Sequence, residues 1–459
     1  MKVVVIGCTH AGTAAVQQLL TAHPDTEVTV YERNDNISFL SCGISLYLNG
    51  DVQHLEDMFY AKAADLEKLG ATVRLRHDVL KVDHKNQTLL CQNLETGAVL
   101  HDTYDRLIMA TGSYVVVPPL FGIEDEQVLL CKNYLQAKKI YQTAQNHHRI
   151  TIVGGGYVGV ELAESYARTQ HDVCLIQSPA QILDTYVDAP LAAQVAQQLA
   201  AHGVQVHLNE RVTGFSRDDT TNALLVEVGA KTYPTDLVIV CTGFVPNTDL
   251  LYGQVKMNPQ GALLVNDYMQ TSDSHIFAAG DACASYLNPA HRNVYLPVAS
   301  AAVRQGRLAA TNLFGPKQKN MGTQGTTAMM IFDHTLASTG LTYAQAKAFG
   351  FQAGTVTWQG DYRPAYMPST APLTIVLVYD RSNRQILGAQ FFSKHEVAQS
   401  ANTLSVCIQN QNTIDELAFV DMLFQPNFDE PFNYLNQVAQ LAQQQEKQAG
   451  TTPWKKGGN

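Results

Sequence analysis

A chain of 459 residues with 46% apolar and 16% charged side chains is too long for a module stapled by disulfides or metal and too apolar for a disordered one, so several packed cores are expected. Its 31 basic against 41 acidic residues leave a net charge of −10, which disfavours long-range attraction to nucleic acid or an anionic membrane. No stretch reaches the roughly 18 consecutive apolar residues of a spanning helix, and the apolar start Val3-Val4-Val5-Ile6 stops at Gly7, too early for a signal segment, so a cytoplasmic protein acting on small molecules is expected.

The first 32 residues read as a βαβ unit: a strand over Lys2–Ile6, the turn Gly7-Cys8-Thr9-His10-Ala11-Gly12, an alanine-rich helix, and a strand over 27–32. The arrangement recurs as a strand over Arg149–Val153, the turn Gly154-Gly155-Gly156-Tyr157-Val158-Gly159, a helix through Arg168 and a strand over 172–176. Two copies imply two nucleotide sites. Leu107-Ile108-Met109-Ala110-Thr111-Gly112 and Val238-Ile239-Val240-Cys241-Thr242-Gly243 each read as a strand running into a Thr-Gly turn where the chain crosses between domains. After about residue 320 the pattern becomes α+β, with strands over 373–379 and 385–392 and helices over 396–409 and 432–445. The glutamine-rich stretch 437–448 and the tail from Gly450 to Asn459 read as a solvated end.

A glycine turn between strand and helix suits a pyrophosphate, because small residues let backbone amides approach it and the helix N-terminus attracts negative charge. In the first turn Thr9 replaces the middle glycine, but Glu32 stands 20 residues after Gly12 at the strand end, where a carboxylate can hold ribose hydroxyls. The second turn has all its glycines, Gly154 or Gly155 with Gly156 and Gly159, yet its ribose position is Gln177 followed by Ser178. A neutral amide neither repels nor binds the 2′-phosphate of NADPH, so relaxed choice between NADH and NADPH is expected. In the segment 271–281 a strand runs into Gly280-Asp281, which can present a carboxylate to the ribityl hydroxyls of FAD. Cys42, in Ser38-Phe39-Leu40-Ser41-Cys42-Gly43, opens an expected helix whose dipole would favour a reactive thiolate. The eight cysteines show no C-x-x-C pair or zinc spacing, so no metal site is expected.

Taken together, residues 7–13, 38–43, 154–161, 242–247, 271–281 and Phe424-Gln425-Pro426 resemble the pyridine nucleotide-disulfide oxidoreductase family, the group that contains water-forming NADH oxidases, NADH peroxidases and coenzyme A disulfide reductases. The resemblance covers nearly the whole chain. It implies an α/β fold of two Rossmann-like dinucleotide-binding domains and a C-terminal α+β dimerisation domain. Residues 1–113 with 245–318 would bind FAD, 114–244 NAD(P)H, and 320–450 would pair two copies. The ending His10-Ala11-Gly12-Thr13 is similar to the oxidases; peroxidases match it less closely at positions 11 and 13. Coenzyme A disulfide reductases usually carry Asn where this chain has Ser41, which places that reading third.

By the same resemblance, FAD would contact Gly7, Cys8, Thr9, Ala11, Gly12, Glu32, Arg33, Ser41, Val79, Ala110, Thr111, Gly112, Asp281 and the backbone of Ala299. The dinucleotide would contact Gly154, Gly156, Tyr157, Val158, Gly159, Glu161, Gln177, Tyr186 and Gly243, with Glu161 orienting the nicotinamide and Tyr157 gating the flavin face. Where flavin disulfide reductases carry a second cysteine, five residues on, this chain has Tyr47; Cys42 would therefore cycle through a sulfenic acid, assisted by His10. The implied reaction takes O₂ to two waters at the expense of two NADH. Reduction of H₂O₂ by NADH is the enzyme alternative, and a redox-sensing flavoprotein the alternative of another class. His10 as a cap of the turn, and Phe424 with Phe428 as an aromatic pair buried within one subunit rather than reaching a partner, are the plainer readings of those residues.

Overall fold

The structure, a computed structural model, describes residues 1–450. The apolar run Lys2–Ile6 is the middle strand of a five-stranded parallel sheet in the order Ile276–Ala278, Arg106–Met109, Lys2–Ile6, Glu27–Tyr31, Ala71–Arg74. Val3, Val4 and Val5 are fully buried, as continuous apolar strands are when both faces of a parallel sheet are covered. Helix His10–Ala22 packs against helix Ala299–Asn312. The approach is close: a Cβ on Gly306 would lie 2.2 Å from the Ala11 carbonyl oxygen.

The second βαβ unit builds a second parallel sheet of five strands, Gln205–Leu208, Asp172–Gln177, Arg149–Val153, Leu237–Val240 and Val128–Leu130. The chain leaves the first sheet after Gly112 and returns after Gly243, both at positive φ (69° and 105°), which glycine adopts without a Cβ penalty. The two crossing strands, Ser113–Val115 and Phe244–Pro246, pair antiparallel. Thr111 and Thr242 lock them, their hydroxyls donating to the carbonyls of Asn247 and Val116 at 2.5 and 2.9 Å. Two three-stranded antiparallel meanders, His77–Asp83 with Thr88–Asn93 and Val99–Thr103, and Gly214–Arg217 with Leu224–Val228 and Lys231–Thr235, complete these halves.

The C-terminal part is a five-stranded antiparallel sheet, in which Pro372–Asp380 and Ile386–Ser393 are buried almost throughout. Helices Ala398–Gln409 and Tyr434–Gln448 cover one side, and helix Ala189–Ala201 from the second parallel sheet also packs on it. The glutamine-rich stretch is therefore not a solvated end. Val438, Ala439, Ala442 and Glu446 are fully buried, and Glu446 accepts a hydrogen bond from the Tyr379 hydroxyl at 2.7 Å. Its apolar stripe at spacings of three and four was the overlooked signal. The remainder of the tail, 451–459, lies outside the described residues. Among these, no helix is long and apolar enough to cross a membrane.

Candidate active site

The first turn lies at the carboxyl end of its sheet, where open α/β folds bind ligands. Gly7 has φ +88°, and a Cβ there would meet the Ala110 carbonyl oxygen at 2.4 Å; one on Gly12 would meet the Gly7 oxygen at 2.0 Å. Thr9 is the N-cap of helix His10–Ala22 without a side-chain cap bond, so it leaves the first amides of the helix to a ligand. Glu32 is buried, and burial raises its carboxyl's proton affinity. Three hydrogen bonds hold it: Oε2 accepts from the Cys8 amide at 2.7 Å, and Oε1 from the Asn34 amide and Nδ2 at 2.9 and 2.6 Å.

These residues open on a cavity of about 510 Å³, lined among others by Gly7, Cys8, Thr9, His10, Ala11, Glu32, Arg33, Ser41, Val79, Ala110, Thr111, Gly112 and Asp281. Gly12 lies behind the turn. Ala299 does not line the cavity; Ala302, one turn on, does. A turn with no space for a Cβ, free amides at a helix start, a buried carboxylate at the strand end and a second carboxylate at Asp281 fit the ribose, pyrophosphate and ribityl chain of FAD.

The second turn repeats the first. Gly154 has φ +109°, and the added Cβ atoms of Gly154 and Gly159 would meet the oxygens of Cys241 and Gly154 at 2.4 and 1.9 Å. The Gly155 amide donates to Gln177 Oε1 at 2.8 Å, just as the Cys8 amide donates to Glu32. Gln177 thus stands to the second turn as Glu32 stands to the first. Its Nε2 donates at 3.3 Å to both Gln181 O and Asp184 Oδ1, so a carboxylate that the sequence reading missed stands beside it. Tyr186 packs its ring 4.2 Å from that of Tyr157, and the Tyr157 hydroxyl bonds Thr327 and Ser338 of the C-terminal sheet at 2.7 and 3.2 Å.

Cys42 departs from expectation. It sits in a single 3-10 turn, Ser41–Gly43, followed by the five-residue helix Ile44–Leu48, too short for a strong dipole. Partial burial pushes its thiol up and Glu161 adds to this; only the backbone hydrogen bond at Cys42 opposes them. The thiolate is therefore not stabilised by the fold alone.

Glu161 is itself largely buried, and desolvation, with Glu164 second, pushes it up to about 7 from 4.5. Between those values the folded chain holds a proton the unfolded chain has released, so this group makes stability fall as pH rises. Glu161→Gln is expected to remove that component, about 3 kcal/mol across the window. Denaturant midpoints measured against pH for both proteins check it; parallel curves would refute it.

Two further residues belong to the site and carried no motif. Lys132 Nζ donates to Ser113 Oγ at 2.7 Å, lies 3.7 Å from Asp281 Oδ2 and 4.0 Å over the Phe244 ring; burial lowers its pKa. Tyr60 bonds His10, Nδ1 to Oη 3.2 Å. On the C-terminal part, Phe424 and Phe428 are not a buried pair: they are 50% and 64% exposed.

Residues 1–306 match the family described as pyridine nucleotide-disulphide oxidoreductase, and residues 326–435 match its dimerisation domain. The chain belongs to this family and is an FAD-dependent oxidoreductase. It is 45% identical over 442 residues to a NADH oxidase of Enterococcus faecalis, a match covering 96% of this chain and 99% of that one. Its fold superposes with a TM-score of 0.96 on the water-forming NADH oxidase from Lactobacillus brevis bound to NADH, at 50% identity over 98% of this chain and 100% of that one. An engineered water-forming NADPH oxidase made from the Lactobacillus brevis enzyme, bound to NADPH, matches with the same TM-score, identity and coverage.

Proposed function

We propose that the chain is a NADH oxidase that takes O₂ through four electrons to water, 2 NADH + O₂ + 2 H⁺ → 2 NAD⁺ + 2 H₂O, with Cys42 as a second redox centre. The observation that carries this reading is that Cys42 alone among the eight cysteines is exposed, while burial pushes the thiols of Cys8, Cys131 and Cys283 up to about 12. A redox cysteine must meet its oxidant, and Cys42 is the most accessible of the eight; Cys174, Cys241 and Cys407 are half-buried and the other four are buried. FAD, when bound, supplies hydride acceptance from NADH and delivery of two electrons to O₂.

The protein's part is then as follows. The Cys42 sulfur attacks the hydrogen peroxide formed beside it; an S–O bond forms, the O–O bond breaks, and the departing hydroxide leaves as water after taking a proton. The remaining sulfenic acid is returned to thiol by the two electrons of a second NADH, and its oxygen leaves as the second water. His10, kept neutral by burial against the pull of Asp281, exchanges protons at this step. Glu161, on helix Tyr157–Arg168 after the second glycine turn and close enough to Cys42 to raise its thiol, orients the nicotinamide, and Tyr157 with Tyr186 covers it.

The same reading divides the chain into residues 1–113 with 245–318 for FAD, 114–244 for the dinucleotide and 320–450 for a homodimer, in which the exposed Leu423, Phe424 and Phe428 are covered by the second copy. Gln177 admits NADPH as a second donor, while the Asp184 carboxylate beside it opposes the 2′-phosphate. The expected kcat/KM for NADPH lies roughly tenfold below that for NADH, the cost of one partly screened like charge. Equal values, or discrimination beyond a thousandfold, would refute this.

The deciding experiment is oxygen-electrode stoichiometry at limiting NADH. Two NADH per O₂, with no oxygen returned on adding catalase, is the expected result. Negligible oxygen uptake with rapid NADH oxidation on adding peroxide would make the chain a peroxidase, and turnover of about one per second or slower would favour a sensor.

A further inference from the structure

Tyr60 lies outside every nucleotide motif, on the loop after the 3-10 turn Leu55–Met58. Its hydroxyl donates to the Thr9 carbonyl oxygen at 3.2 Å and lies 3.2 Å from His10 Nδ1, with the two rings parallel within 1°, and the Thr13 side chain also reaches it. A phenol carries one proton, and a carbonyl cannot donate. Since the carbonyl can only accept, the arrangement that places a hydrogen in both contacts is the one in which the phenol gives its proton to Thr9, faces His10 with a lone pair, and receives the hydrogen of Nδ1.

We infer that Tyr60 is a positioning residue that fixes His10 as the Nδ1–H tautomer and leaves Nε2 as the bare, proton-accepting nitrogen. Among the described residues Nε2 has no protein hydrogen bond, and His10 lines the flavin cavity together with Ser41, the neighbour of Cys42. The charged groups facing the ring are Asp281 and Lys132, which act in opposite directions, while burial keeps the imidazole neutral, the condition under which a tautomer matters. Desolvation pushes the Tyr60 hydroxyl up to about 12, so it stays protonated and keeps its donor for Thr9. The consequence rests on the proposed chemistry of Cys42: a bare Nε2 can take the thiol proton, or accept one from the sulfenic acid, whereas the opposite tautomer would offer only a donor.

The test is nitrogen NMR of the FAD-loaded protein labelled with 15N in its histidine rings, with His10→Gln to assign the His10 signals. The wild type is expected to show Nδ1 protonated and Nε2 unprotonated. In Tyr60→Phe the tautomer ratio shifts toward Nε2–H by roughly tenfold, the worth of one net hydrogen bond. A wild-type His10 that carries its proton on Nε2, or a ratio unchanged in Tyr60→Phe, overturns the inference. If the variant fails to fold, the wild-type spectrum alone still decides. Failure of the oxidase reading would appear in the oxygen stoichiometry and leave this spectrum unchanged.

Discussion

Cys42→Ser is expected to consume one NADH per O₂ instead of two and to release peroxide stoichiometrically, so that catalase returns half of the oxygen taken up. A serine hydroxyl is not oxidised by peroxide and cannot store the oxygen atom as a sulfenic acid. The first half of the cycle would continue, because the hydrogen bonds that hold Glu32 and Asp281 in the FAD cavity do not pass through the thiol. Cys42 is exposed, so the exchange is expected to move stability by no more than about 0.5 kcal/mol. Oxygen uptake with and without catalase, together with a melting curve, checks both statements. A variant that still consumes two NADH per O₂ would remove Cys42 from the reaction.

Lys132→Met is expected to weaken FAD binding about 30-fold, equivalent to about 2 kcal/mol. In the native arrangement Ser113 Oγ donates to Asp281 Oδ2 at 2.6 Å and accepts from Lys132 Nζ at 2.7 Å, so one hydroxyl relays the ammonium to the carboxylate. Removing one member of a buried pair usually costs 3–5 kcal/mol; the side chains here keep 23% and 22% of their surface, so the smaller figure applies. The loss should fall on cofactor binding because a flavin covering the cavity strips the remaining water from Asp281, now without its cation. Titration of the apoprotein with FAD, followed by fluorescence, gives the dissociation constants. Lys132→Arg should retain most of the affinity, and an unaltered constant in Lys132→Met would refute the relay.

The parts of this site that were legible in the sequence are those written in local geometry. A strand, a turn without space for side chains and a helix must be contiguous in the chain, so Gly7 to Glu32 and Gly154 to Gln177 were placed from spacing alone, even with Thr9 and Gln177 departing from the pattern. Lys132, Tyr60 and Asp184 were not legible, because each reaches the site from a separate loop: Lys132 stands 149 positions from Asp281, and no periodicity connects them. The helix expected at Cys42 shrank to a turn and a short helix, since propensity does not report length there. The glutamines of Tyr434–Gln448 misled by composition, while their apolar neighbours at helical spacing marked a packed face.

The antiparallel pairing of Ser113–Val115 with Phe244–Pro246 bears on the order in which the molecule assembles. The edge strand Ile276–Ala278 must dock beside Arg106–Met109 across about 170 residues of chain, a long loop to close. Once the intervening sheet has folded and its two exits are zipped together, the effective loop shrinks to about 35 residues, lowering the closure cost by about 1 kcal/mol. The second sheet, which needs only its own contiguous stretch, is thus the natural early unit, and the last strand of the first sheet the late one. Asp281, carried just beyond that last strand, therefore arrives at the flavin cavity only when both halves are already built.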